Sequence, residues 1–136
     1  GRFELLDGDP PLILDAAHNP DGARALAEAL VTEAEGRPVV ACIAVMGDKD
    51  AAGIVEALAP ALSAAVCTEI PPERLEGAGR PGTTAFPATA MAALFESVGV
   101  QATVELEPDR AIARAKGSAR ERAGVALIAG SHYLLT

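Results

Sequence analysis

The chain has 136 residues, half of them apolar, and a net charge of −8 with no basic run. That length fits one domain with a packed core, and the charge excludes ordinary nucleic-acid binding, which needs clustered Lys and Arg on phosphates. No apolar run approaches the roughly 18 residues of a membrane span and no signal peptide is visible. The reducing cytoplasm is therefore the expected compartment. An acidic domain can still bind a nucleotide through local dipoles and Mg²⁺, so ATP stays open.

Helix and strand patterns alternate along the chain. Residues 3–6 offer an edge strand, and 12–14 read as a buried strand. Asn19 is a candidate N-cap, and Pro20 suits the first helical position. Beyond them Ala23, Leu26, Ala27, Leu30 and Val31 recur at i, i+3, i+4, i+7 and i+8, one apolar helix face. Gly36 and Pro38 end that helix. Residues 39–45 are a continuous apolar strand. Asp50 caps a helix carrying Ile54, Val55 and Leu58 inward, and 64–68 is a third buried strand. Cys42 and Cys67 each lie inside such a run and read as buried free thiols.

Residues 70–87 hold four Pro and three Gly and keep no period. Long irregular segments in compact domains are usually functional or disordered. Met91, Leu94, Phe95 and Val98 then mark a helix ended by Gly99. Residues 102–106 alternate as a strand, Pro108 opens a helix to about residue 116 with Ile112 inward, and 125–129 is the last buried strand.

Strands alternating with helices imply parallel strands with crossover helices. Near-continuous apolar runs imply strands buried on both faces. The expected fold is α/β: one three-layer, Rossmann-like domain over residues 1–136. Its sheet is mostly parallel, of about five strands plus an antiparallel edge strand. A GxGxxG fingerprint and a Walker A sequence are both absent, so this is neither an ordinary dinucleotide site nor a complete P-loop ATPase.

The densest polar cluster is Asp15-Ala16-Ala17-His18-Asn19-Pro20, at a strand-to-helix turn. In a parallel sheet, ligands bind outside the carboxyl ends of the strands. Other polar groups end the other strands: Asp48, Lys49 and Asp50 after the second, Thr68 and Glu69 after the third, Ser131 and His132 after the last. Each alone also reads as a turn residue, a solvated charge or a structural histidine. Together they outline a pocket edge with one cation, several carboxylates and two imidazoles. No metal-ligand spacing is present.

These residues carry a resemblance. Asp-x-Ala-His-Asn-Pro after a buried strand is similar to the C-terminal domain of the Mur ligase superfamily. Gly1-Arg2-Phe3-Glu4 resembles the segment that opens this domain. Met46-Gly47-Asp48-Lys49-Asp50 resembles the "DKD" turn of folylpolyglutamate synthases, and Gly130-Ser131-His132-Tyr133-Leu134 their closing Gly-Ser-x-Tyr strand. The likeness extends over nearly the whole chain and favours folylpolyglutamate synthase or its bifunctional dihydrofolate synthase form. A peptidoglycan-precursor Mur ligase is the alternative within the superfamily. A stand-alone nucleotide- or anion-binding regulatory module is the alternative from another class.

The resemblance implies an ATP-dependent ligase that activates a carboxylate as an acyl phosphate and joins it to the amine of L-glutamate, on a folate or on dihydropteroate. It implies that Arg2 and Asp15 contact ATP, at the phosphates and the ribose respectively. His18, Lys49 and Ser131 face glutamate, with His18 the candidate for orienting or deprotonating the amine. The P-loop, the Mg²⁺ ligands and a modified lysine belong to an N-terminal ATPase domain, the expected partner. The chain begins at Gly1-Arg2 without that domain, so the resemblance implies an isolated half with no ligase activity of its own. Arg74 lies near a family Pro-Arg pair, but Glu73 occupies the proline position and no role carries over.

Overall fold

A computed structural model describes residues 3–75, 84–131 and 134. Along the chain run β1 (Glu4–Leu6), β2 (Leu12–Asp15), α1 (Pro20–Ala34), β3 (Val39–Ala44), α2 (Ala51–Leu58) and a 3-10 turn (Ala59–Ala61). They are followed by β4 (Ala64–Cys67), α3 (Pro72–Leu75), α4 (Ala88–Ser97), β5 (Gln101–Val104), α5 (Pro108–Glu121) and β6 (Val125–Gly130). One six-stranded sheet runs in the order β1-β2-β6-β3-β4-β5. β1 is antiparallel to β2, and the remaining pairs are parallel. The expected α/β architecture, edge strand included, is the one observed.

β3 and β6 lie inside the sheet and are buried at every position. Alternate side chains therefore enter two separate cores. Val39, Ala41 and Ile43 pack with Leu26 and Leu30 of α1, Ile54 and Leu58 of α2, and Met91 and Phe95 of α4. Val40, Cys42 and Ala44 pack on the other side under α5. That helix presents Ala111, Ala115 and Ala119, all fully buried. Methyl-sized side chains at i, i+4 and i+8 let one helix lie close over the strands. Arg120 donates from Nε and a terminal nitrogen to the Asp9 carbonyl (3.2 and 2.9 Å), tying α5 to the β1–β2 turn.

Several expectations shift in detail. Val31 is 72% exposed, because the buried stripe of α1 runs through Ala23, Leu26, Leu30 and Ala34. Val98 is the exposed C-cap of α4 rather than a core residue. β5 occupies Gln101–Val104, slightly before the expected run, with the alternating exposure of an edge strand. α5 continues past residue 116 to Glu121, since Gly117 lowers helix propensity without breaking the packed alanine face. Cys42 and Cys67 are free and buried, and burial pushes both thiols up to about 12. They are inert packing groups at neutral pH.

Candidate functional site

The site begins where β2 ends. Asp15 is 6% exposed and sits beside Ala129 of β6. Burial raises its carboxyl pKa above the usual carboxylate range, and the Ala17 N–H, donating to the carboxylate, pulls it partly back. Asn19 caps α1, its side-chain oxygen accepting the Gly22 N–H at 2.7 Å, so this amide serves the helix. His18 is exposed, with Nδ1 3.2 Å from the Ala16 carbonyl oxygen. A carbonyl only accepts, so in this contact Nδ1 is the donor and Nε2 is directed elsewhere.

The second turn follows β3. Lys49 is half-buried, and its N–H donates to the Met46 carbonyl at 3.1 Å. Asp50 caps α2 by accepting the Gly53 N–H at 2.9 Å, as its position predicts. A Cβ at Gly53 would lie 2.7 Å from the Pro20 ring. The first turns of α1 and α2 therefore rest on each other, and the turns bearing His18 and Lys49 are locked together.

The irregular segment after β4 is fastened to the same edge. Its early part forms α3, with Leu75 packed in the α5-side core and Arg74 3.4 Å from Asp109. Residues 84–86 lie against the end of β3. The Gly47 N–H donates to the Thr84 carbonyl (2.7 Å), the Phe86 N–H to the Val45 carbonyl (2.8 Å), and Met46 bridges antiparallel to Ala85. Residues 84–86 thus strap the base of the Lys49 turn. Glu69 accepts the Ala88 N–H at 2.8 Å, at the start of a helix whose N-cap, Pro87, makes no side-chain bond. This carboxylate serves as the helix cap, a role its place on the strand rim did not reveal. Glu69→Ala is expected to cost about 1 kcal/mol, read as a lower thermal midpoint, with Glu69→Gln recovering part of it.

The last group is Ser131, 5% exposed, directly after β6. Strand order places β6 between β2 and β3. Ser131 therefore lies between the Asp15–His18 turn and the Lys49 turn, which are about 10 Å apart at ~4.8 Å per strand. β2 and β3 feed helices on one face, whereas Leu134, after β6, packs in the core on the other. Where connections part to opposite faces, the carboxyl edge is the usual ligand position in α/β sheets. Arg2 and His132 lie outside the described residues. Among the described residues, no group of three His, Cys, Asp or Glu side chains could hold a metal ion, and no helix is long and apolar enough to cross a membrane.

These features define a Rossmann-like α/β domain whose polar strand ends gather at the carboxyl edge of its sheet. The chain belongs to the Mur ligase family through its glutamate ligase domain, whose family model matches residues 1–132. It is 46% identical over 68 residues to a dihydrofolate synthase/folylpolyglutamate synthase of Mycobacterium tuberculosis, a match covering 50% of this chain and 14% of that protein. In structure it resembles Mycobacterium tuberculosis folylpolyglutamate synthase complexed with ADP and AMPPCP (TM-score 0.80, 32% identity, 98% of this chain and 30% of that one). It also resembles a bifunctional folylpolyglutamate synthase/dihydrofolate synthase with Mn, AMPPNP and L-glutamate bound (TM-score 0.77, 27% identity, 98% of this chain and 29% of that one). The chain thus spans less than a third of each of these relatives.

Proposed function

We propose that this domain forms the glutamate-binding, ATP-closing wall of an ATP-dependent ligase that adds L-glutamate to folates. The reading rests above all on one observation: β6 lies between β2 and β3, so the strand ends that carry Asp15, His18, Ser131 and Lys49 are neighbours at one edge of the sheet. The names of the relatives support the folate branch over a peptidoglycan-precursor ligase.

In this reading Asp15 accepts a hydroxyl hydrogen bond from the ATP ribose. Arg2 faces the phosphates, where a guanidinium offsets charge on the transferred phosphoryl group. The substrate carboxylate attacks the γ-phosphoryl group of ATP, releasing ADP, and the glutamate amine then attacks the acyl phosphate, losing a proton and expelling phosphate as the amide forms. Lys49 and Ser131 hold the incoming amino acid by its carboxylate groups. His18 presents Nε2 to the amine, orienting it or taking its proton, while the Ala16 carbonyl fixes the tautomer. Mg²⁺ would be held by a second, N-terminal ATPase domain, so the chain alone turns over no ATP.

The test is kinetic, in the ligase that carries this domain. Lys49→Ala and Ser131→Ala should each raise the glutamate KM about tenfold or more while the ATP KM stays within twofold, the cost of losing a charged hydrogen bond. Equal increases in both constants would remove the assignment. ATP turnover by the 136-residue chain alone would overturn the view that it is one wall of a shared cleft.

A further inference from the structure

Thr68 stands just beyond β4, and it is 1% exposed. Its hydroxyl is the one buried side-chain oxygen or nitrogen without a hydrogen-bond partner among the described residues. Such groups are rare in native folds and carry a desolvation cost, whereas an isosteric valine would carry none. A threonine here is therefore less favourable for folding than the obvious apolar alternative.

Its place in the sheet is well defined. The Thr68 N–H donates to the Ile43 carbonyl at 3.0 Å, continuing the β3–β4 ladder by one residue. That puts Thr68 level with Ala44, which is level with Gly130. The side chains beside it in that row are a methyl group and a hydrogen, which offer no partner. On the other flank Glu105 is taken up by Arg114 at 3.1 Å. Ser131 follows the same row, and the Lys49 turn leaves the neighbouring strand.

We propose that Thr68 is a binding residue of the amino-acid half-site, its hydroxyl donating to a carboxylate of the incoming amino acid alongside Lys49. This deepens the function proposed above and rests on it. The hydroxyl then has a partner only in the loaded enzyme, and its cost in the empty domain is the cost of a prepared site.

The experiment uses the ligase that carries this domain, with Thr68→Val, Thr68→Ser and Lys49→Ala measured side by side. Thr68→Val should raise the glutamate KM about tenfold, leave the ATP KM within twofold, and leave the thermal midpoint unchanged or higher. Thr68→Ser should restore the glutamate KM. An unchanged glutamate KM in Thr68→Val overturns the proposal. So does a lowered midpoint with both constants raised together, which marks a packing role. If Lys49→Ala raises the glutamate KM and Thr68→Val does not, Thr68 alone is excluded. If neither does, the glutamate-site reading itself fails.

Discussion

Gly130→Ala is expected to lower the stability of the domain by about 4 kcal/mol, a large share of the ~5–15 kcal/mol that holds a typical domain folded. Gly130 has φ +109, a conformation that L side chains rarely adopt. A Cβ there would also lie under 3.0 Å from the Ala44 carbonyl oxygen, with a Val45 methyl close behind. The obstructing atom is backbone, so relief requires β6 to part from β3 just below Ser131. Urea unfolding reads the loss as a lower midpoint at constant slope. Gly117→Ala is the control. That position lies inside α5, and nothing lies within 4 Å of a Cβ added there. It should gain about 0.5–1 kcal/mol, because alanine is the better helix former. A Gly130→Ala variant as stable as the native chain would mean that β6 does not meet β3 as described.

Asp15→Asn is expected to separate function from folding. In the ligase carrying this domain it should raise the ATP KM about tenfold or more, if the carboxylate accepts from the nucleotide ribose. An unchanged ATP dependence would remove Asp15 from that role. Its effect on stability runs the other way. Burial raises the Asp15 pKa above its value in the unfolded chain. Between the two pKa values the native state binds more protons than the unfolded state, so stability falls as pH rises through that window. Above it the ionised group carries its full desolvation cost, and below about pH 3.8, the unfolded value, the cost is absent. Asparagine avoids that cost while keeping an oxygen for the Ala17 N–H. The variant should therefore unfold at higher denaturant than the native chain at pH 7, with the gap closing toward acid. A variant less stable at pH 7 would show that interactions of the carboxylate outweigh its burial.

The two caps show how far local sequence reaches. Asn19 and Asp50 were legible as helix starts because a cap needs only a short polar side chain and the N–H three residues on. Glu69 was not, because its partner Ala88 lies 19 residues away, across a segment without periodicity. The inner face of α5 escaped for a different reason. Alanine fits buried and exposed positions alike, so the stripe at 111, 115 and 119 carries no hydrophobic contrast, and the larger Ile112 drew the eye to the edge of the contact. Val31 and Val98 misled in the opposite direction, since period alone does not say where a neighbouring helix stops.

The site divides the same way. Asp15, His18, Lys49 and Ser131 could be picked out as polar residues at strand ends, because they follow three apolar runs. Thr68 could be placed at a strand end but not recognised as an unpartnered buried hydroxyl, since burial and partners are properties of packing. By itself the sequence determined the alternation of strands and helices, the helix caps and the family motifs, all set by short-range spacing. Strand order belongs to the tertiary structure alone. β6, last in the chain, inserts between β2 and β3 because both its faces are apolar and need cover from α5 on one side and α1 and α2 on the other. That insertion makes three strand ends, separate in sequence, neighbours at one edge.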